Sequence, residues 1–259
     1  MTLFQAIFLA IVQGVTEFLP ISSSGHLVLF QKLFSLASPP VLFDVFLHLG
    51  TLMATLVFFR KELWSLVKEW KSKKNQWMFL AVGSIPAAFF GLWLNSKTDR
   101  IFDSLSLTGV MWIFFGILLV STRWLTKGKS LQKKAANIKW TDAIVIGLFQ
   151  AAALFPGISR SGSTIVGGLF RNFSRGNAFF LSFLLSVPAV FGAVILKLVD
   201  GSVGRINLGI GAVSIIIAGL VGYFSLKLLE KTLMSDKFYL FGFYSLILGT
   251  IVFLKINYL

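Results

Sequence analysis

Six apolar stretches, at about 44–60, 77–95, 105–123, 178–199, 207–226 and 239–258, recur along this chain. Each is close to the ~20 residues that an α-helix needs to cross a bilayer. Hydrocarbon offers no partner to a backbone N–H or C=O, so such stretches fold as helices that satisfy their own backbone. Composition agrees, with only 13% of the 259 residues charged, about half the share of a soluble domain. Mean hydropathy is +0.83. The fold class is therefore an all-α polytopic membrane protein. With no cysteine, disulfides, thiolate metal sites and cysteine nucleophiles are excluded.

Two further stretches, 3–35 and 141–172, are apolar but broken at their centres by Pro, Gly and serine clusters. Their halves are too short to span the hydrocarbon. Broken helices persist at that depth only where protein or a water-filled cavity surrounds them. Both read as re-entrant helical hairpins with the serine loop at the tip. The 3–35 stretch is mature structure rather than a signal peptide. It lacks a basic n-region and a small-residue cleavage site, and it carries Gln13 and Glu17.

The two tips match without a gap over Gln13/Gln150, Phe18/Phe155, Ile21/Ile158, Ser22/Ser159, Ser24/Ser161 and Gly25/Gly162. They differ where chemistry resides: Glu17 stands opposite Leu154, Ser23 opposite Arg160 and His26 opposite Ser163. One copy carries an acid and an imidazole, the other a fixed cation. The pattern is that of a duplicated element specialised into two halves of one site.

The net charge of +14 does not indicate a nucleic-acid partner. Lysines and arginines cluster between spans, where cytoplasmic loops hold them. Placing 60–76 and 123–139 inside also puts Arg171, Arg175, Lys227, Lys231 and Lys237 there. Only Lys32, Lys97, Arg100, Lys197, Arg205 and Lys255 then lie outside, with Arg160 in a tip. This alternation requires that neither hairpin crosses fully. It predicts six transmembrane helices plus two re-entrant hairpins within one integral membrane domain. Repeat one (about 1–123) and repeat two (about 139–259) are inverted in topology, with both termini outside and the tips meeting near the midplane.

Such tips make an anion site. Ser22, Ser24 and Gly25 on one side, with Gly157, Ser159, Ser161 and Thr164 on the other, offer hydroxyls and N–H groups at helix starts. Small residues also serve tight helix packing, but packing leaves Arg160 unexplained, because an arginine at membrane depth needs a partner or a function. Arg160 suits bidentate contact with a phosphate or diphosphate. Glu17 needs a cation, a metal or a proton for the same reason. Gln13 is four residues earlier on the same helix face, so both can supply oxygens to a hard divalent cation. His26 follows Ser23 closely enough to serve as base, acid or nucleophile. Asp44 suits an N-cap as well as a site residue, and His48, one turn further on, fits a structural role. Thr141 and Asp142 suit caps of the second hairpin, and the basic loops suit solvated topology signals or contacts with anionic membrane lipids.

Gln13-x-x-x-Glu17 with Pro20-Ile-Ser-Ser-Ser-Gly-His26, together with Pro156-Gly-Ile-Ser-Arg-Ser-Gly-Ser-Thr164, resembles the undecaprenyl-diphosphate phosphatase family associated with bacitracin resistance. The resemblance covers essentially the whole chain. It implies hydrolysis of undecaprenyl diphosphate to the monophosphate and inorganic phosphate. This recycles the cell-wall lipid carrier at the outer face of the bacterial cytoplasmic membrane. It also implies a divalent cation, magnesium or calcium, and functional roles for Glu17, Ser23, His26 and Arg160. The family pattern accepts Glu or Gln at position 13. On this basis Ser23 attacks the terminal phosphorus with His26 taking its proton, while attack by His26 or by water stays open. The competing class is a transporter or flippase of the lipid-linked phosphate, since inverted repeats around a midplane site are also transporter architecture.

Overall fold

A computed structural model describes residues 1–36, 41–94, 98–199 and 207–258. Lys97 and Arg205, two of the basic residues expected outside, lie beyond the described residues, as do the side chains of Arg100 and Lys197. Among the described residues there is no β-strand, only an isolated bridge between Lys133 and Phe173.

The chain starts with α1 (Leu3–Phe18), capped by Thr2 and Gln5, each of which bonds the other's backbone N–H. α1 stops where it does because Pro20 forces the residue before it out of helical geometry, and Leu19 is extended at φ −63°, ψ 144°. After a tight turn, α2 (Ser23–Leu33) begins with Ser22 as N-cap, its hydroxyl accepting from the Gly25 N–H. The second broken stretch follows the same plan. α8 (Trp140–Ala152) leads through Pro156 and Gly157 to α9 (Arg160–Phe170), with Ser159 as N-cap accepting from the Gly162 N–H. The serines that match in sequence thus match in structural role.

The remaining helices are α3 (Val41–Phe58), α4 (Arg60–Lys68), α5 (Lys74–Leu94), α6 (Thr98–Asp103), α7 (Leu105–Thr126), α10 (Arg175–Val199), α11 (Leu208–Met234) and α12 (Leu240–Tyr258). Five of these are long and apolar enough to cross a membrane, and six when α3 and α4, bent by 72° at Phe59, are taken together. The six spans expected from sequence fall on these helices. Two boundaries differ. The basic segment 60–76 contains α4, and α11 runs past 226 to Met234, because helices projecting from a membrane can carry Lys227, Glu230 and Lys231 on their last turns.

The core is apolar, with Phe18, Phe79, Phe115 and Phe183 buried, but the outside of the protein is apolar as well. Phe89, Leu92, Ile117, Leu220, Phe224 and Ile247 are exposed, while Gln13, Thr108, Asp142, Ser182 and Ser214 are fully buried. An apolar surface this extensive marks lipid contact. Between helices, small residues let backbones approach. α7 and α12 run antiparallel with Gly109 facing Gly249 and Gly116 facing Gly242. A Cβ added at Gly116 would come within 2.8 Å of the Gly242 carbonyl, and one at Gly249 within 2.7 Å of the Gly109 carbonyl. α1 packs on α11 and α5 on α8, through Gly14 and through the Gly83–Gly147 pair.

The base of the second broken stretch is fastened by charge. Asp142, fully buried, accepts from the Lys139 N–H (2.8 Å), from Arg171 Nε (2.7 Å) and from the Lys133 ammonium. It therefore caps α8, as the sequence led us to expect. It also ties the 127–139 connection to the end of α9.

Candidate active site

The two turns meet and interlock through their backbones. Gly157 N–H donates to the Ser22 hydroxyl at 3.0 Å, and Ser161 Oγ donates to the Phe18 carbonyl at 2.8 Å. Trp112 of α7 braces the same place, donating from Nε1 to the Ile21 carbonyl at 2.9 Å. Gly157 sits at φ +101°, and a Cβ there would also crowd Met111 of α7. Glycine is required on both counts. A Cβ at Gly25 would strike the Trp112 ring at 2.7 Å. Thr164 bonds Ser182 of α10 at 2.6 Å.

This framework brings five polar side chains to one point. Glu17, one turn after Gln13 on α1, is buried. Its Oε1 accepts from Arg160 Nη2 at 2.6 Å, and its Oε2 accepts from Ser23 Oγ at 2.7 Å and from Gln13 Nε2 at 3.2 Å. Gln13 Nε2 also donates to His48 Nδ1 at 3.2 Å, which places that imidazole 3.8 Å from Glu17 Oε2. Arg160 Nη1 and Gln13 Oε1 are buried with no partner among the described residues. The pair Glu17–Arg160 joins the first broken stretch to the second across 143 residues.

A cavity of about 240 Å³ opens onto this cluster. Glu17, Ser23, Ser24, His48, Ser159 and Arg160 supply its polar wall. The first residues of α2 and α9 thus both face the cavity, and helix N-termini favour anions there. The remaining wall is apolar, with Val45, Phe102 and Val194 among its residues. A second cavity of about 420 Å³ adjoins it between α5, α8 and α10 and shares Ala153, Leu154, Arg160, Ala189 and Ala193 with it. Its own lining is almost entirely Ala, Gly, Leu and Pro.

Of the residues read from sequence as binding groups, Ser24 and Ser159 line the polar cavity. Ser22, Gly25, Gly157 and Ser161 instead hold the two turns together, and Thr164 ties α9 to α10. His26 is buried away from Ser23. Its Nδ1 lies 2.6 Å from the Ser22 carbonyl and its Nε2 2.7 Å from the Tyr244 hydroxyl, with the Tyr244 ring stacked on it at 5.8 Å. Ser23 and His26, expected to share a proton, are each hydrogen-bonded to other groups in this structure. Ser23 directs its hydroxyl to Glu17, because α2 turns the His26 ring toward α7 and α12 instead.

His48 is the site residue that sequence reading left as structural. The signal was present: one of only two histidines in the chain stands in an apolar span, where a titratable group needs a reason. Tyr244 and Trp112 carried no such signal, since aromatic residues abound in every span.

Among the described residues no three His, Cys, Asp or Glu side chains are grouped to hold a metal ion. The oxygens present suit a hard cation that arrives with phosphate. They are the Glu17 carboxylate, which lines the cavity, and Gln13 Oε1, which is buried and partnerless while Gln13 Nε2 is the atom turned to Glu17. Magnesium is commonly held in this way, by one or two carboxylates plus substrate phosphates.

Comparison with known proteins matches the sequence of this chain to a family. The family model described as "Bacitracin resistance protein BacA" matches residues 6–251. A protein of Carboxydothermus hydrogenoformans named Undecaprenyl-diphosphatase is 40% identical over 258 residues, covering 97% of each chain. One of Desulfosudis oleivorans with the same name is 40% identical, covering 95% of each. Undecaprenyl-diphosphatase 3 of Bacillus cereus is 40% identical, covering 96% of this chain and 95% of its own. The chain belongs to the bacitracin resistance protein BacA family.

Proposed function

We propose that this chain hydrolyses undecaprenyl diphosphate to undecaprenyl phosphate and inorganic phosphate. The observation that carries this reading is the orientation of Ser23, whose hydroxyl donates to Glu17 Oε2 while Arg160 holds the other carboxylate oxygen. A nucleophile, a proton acceptor and a guanidinium with one partnerless Nη1 then face a cavity formed by two helix starts. The adjoining apolar groove suits the first units of an isoprenoid tail.

In the proposed reaction Ser23 Oγ attacks the terminal phosphorus. The Oγ–P bond forms, the bridging P–O bond breaks, and the Ser23 proton passes to Glu17, which returns it to the departing monophosphate. Water then attacks the phosphoserine, giving its proton to Glu17 and its hydroxyl to phosphorus. Oγ leaves and recovers the proton, and inorganic phosphate is freed. Arg160 and the N-termini of α2 and α9 stabilise charge on the transferred group, the main protein contribution in phosphoryl transfer. His26 positions the α2 start through Ser22 rather than moving the proton. A divalent cation, magnesium or calcium, would be held by Glu17 and Gln13 and would supply charge neutralisation to the phosphates. In the version with water as nucleophile, Glu17 takes the proton directly.

The two broken stretches are proposed as re-entrant hairpins of inverted repeats, with the cavity opening on the outer face of the bacterial cytoplasmic membrane and both termini outside. The shared N-cap serines, the α1–α11 and α5–α8 pairings and the basic clusters around α4 and the 127–139 connection support this arrangement. A flippase would use the same phosphate pocket, but transport has no need of a serine hydroxyl aimed at a carboxylate. Phosphate release in detergent, where no sidedness exists, tests the proposal; a pure carrier releases none.

A further inference from the structure

Gln150 is the sequence counterpart of Gln13, but its surroundings differ. Gln13 donates to Glu17 and His48. Gln150 has Leu154 where Gln13 has Glu17. Its side chain is 97% buried, and neither Nε2 nor Oε1 has a partner among the described residues. A buried amide left with both polar atoms unpaired is destabilising and rare, and calls for a ligand or another explanation.

Gln150 lines the apolar groove, in a wall of Ala, Gly, Leu and Pro. Two other polar residues share that wall. Ser84 is satisfied by the Leu80 carbonyl at 2.7 Å. Arg160 offers Nη1, which is buried and partnerless like the amide. Gln150 and Arg160, each carrying an unpaired buried donor, therefore both line the groove, and Arg160 stands with Ala153 and Leu154 where it joins the polar cavity.

We infer that Gln150, which lines the groove together with Arg160, forms a subsite for the inner phosphate of a polyprenyl diphosphate, the one esterified to the tail. This rests on the diphosphatase reading above. The terminal phosphate occupies the polar cavity beside Ser23, the tail lies in the groove, and the inner phosphate spans the junction. The Gln150 Nε2 donates to its oxygens. Gln150 is thereby a binding residue that distinguishes a diphosphate ester from a single phosphate and sets how far the tail is held from the reacting phosphorus.

The test is inhibition of purified enzyme by the two product types, comparing wild type with Gln150→Leu. Farnesyl phosphate carries the inner phosphate and tail, and inorganic phosphate reports only the terminal position. Loss of one hydrogen bond to a charged oxygen should raise the inhibition constant of farnesyl phosphate, and the KM for farnesyl diphosphate, about tenfold or more. The inhibition constant of inorganic phosphate and kcat should change less than about twofold. Thermal stability in detergent should stay level or rise, because an unpaired buried amide is replaced by an apolar group of similar size. Gln150→Glu, which cannot donate and repels phosphate, should bind farnesyl phosphate more weakly still. Equal weakening of both inhibitors, unchanged farnesyl phosphate binding, or a marked loss of stability in Gln150→Leu would overturn the subsite. Absence of turnover in the wild type would instead remove the diphosphatase reading. Farnesyl phosphate binding followed by tryptophan fluorescence would still report on Gln150 in that case.

Discussion

Arg160, the first residue of α9, holds Glu17 near the end of α1 at 2.6 Å, with both side chains largely removed from solvent. The ion pair links two segments that resemble each other in sequence and differ at these positions. Breaking such a buried pair from one side leaves an uncompensated charge, a cost of about 3–5 kcal/mol.

Arg160→Ala should therefore lose both activity and stability in detergent. Arg160→Lys should keep much of the stability but fall at least about 100-fold in kcat, because a point charge cannot hold Glu17 and a phosphate oxygen together. Thermal unfolding and phosphate release on the same preparations separate the two effects. Near-normal turnover of Arg160→Lys would remove Arg160 from the phosphate clamp.

His26 and Tyr244 should behave as one unit. Tyr244→Phe and His26→Gln each lower activity moderately, about tenfold, and their double variant loses little more than either alone. Contacting residues in one hydrogen-bond network are non-additive in this way. A double-mutant cycle on kcat measures the coupling. Full additivity, or a loss from His26→Gln as deep as that from Ser23→Ala, would put His26 in the chemical step.

Much of this was readable from sequence, for physical reasons. Pro20 and Pro156 stand beside serine-glycine clusters where the chain leaves the helix, unlike Pro86 and Pro188 inside α5 and α10, and Ser22 and Ser159 each cap the helix that follows. Hydrocarbon length selects the spans. What stayed hidden depends on long-range placement. Tyr244 meets His26 across 218 residues, and nothing local to either marks the pairing. His26 looked like Ser23's partner because three residues separate them. On a helix, that spacing does not decide which way a ring turns once Trp112 and Tyr244 pack around it. α4 was concealed because the basic residues spread through 60–76 read as a loop, although Leu63, Leu66 and Val67 line an apolar groove.

Gln13 should control cation dependence. Gln13→Ala removes the partnerless amide oxygen of the residue one turn before Glu17. The magnesium or calcium concentration giving half-maximal phosphate release should rise several-fold, with kcat at saturating metal falling less. Gln13→Glu should shift it downward. A metal titration of each variant after chelator treatment checks both. Identical curves would place the cation on other ligands.

Asp142 should matter for stability more than for chemistry. Its carboxylate is fully buried against Lys133, Arg171 and the Lys139 N–H. Asp142→Ala leaves two cations around an apolar gap and should cost about 3 kcal/mol or more. Limited proteolysis should then cut between Lys127 and Lys139, while protein that remains folded keeps its KM. Unchanged proteolysis would show that the fastening is dispensable.

The most direct measurement is phosphate release from undecaprenyl diphosphate by the purified protein in detergent with magnesium, comparing wild type, Ser23→Ala, Glu17→Gln and Arg160→Lys. Wild type should release phosphate with multiple turnovers, and each variant should fall by at least about 100-fold while staying folded. Full activity in Ser23→Ala or Glu17→Gln, or no release by the wild type, would contradict the chemistry proposed for this site.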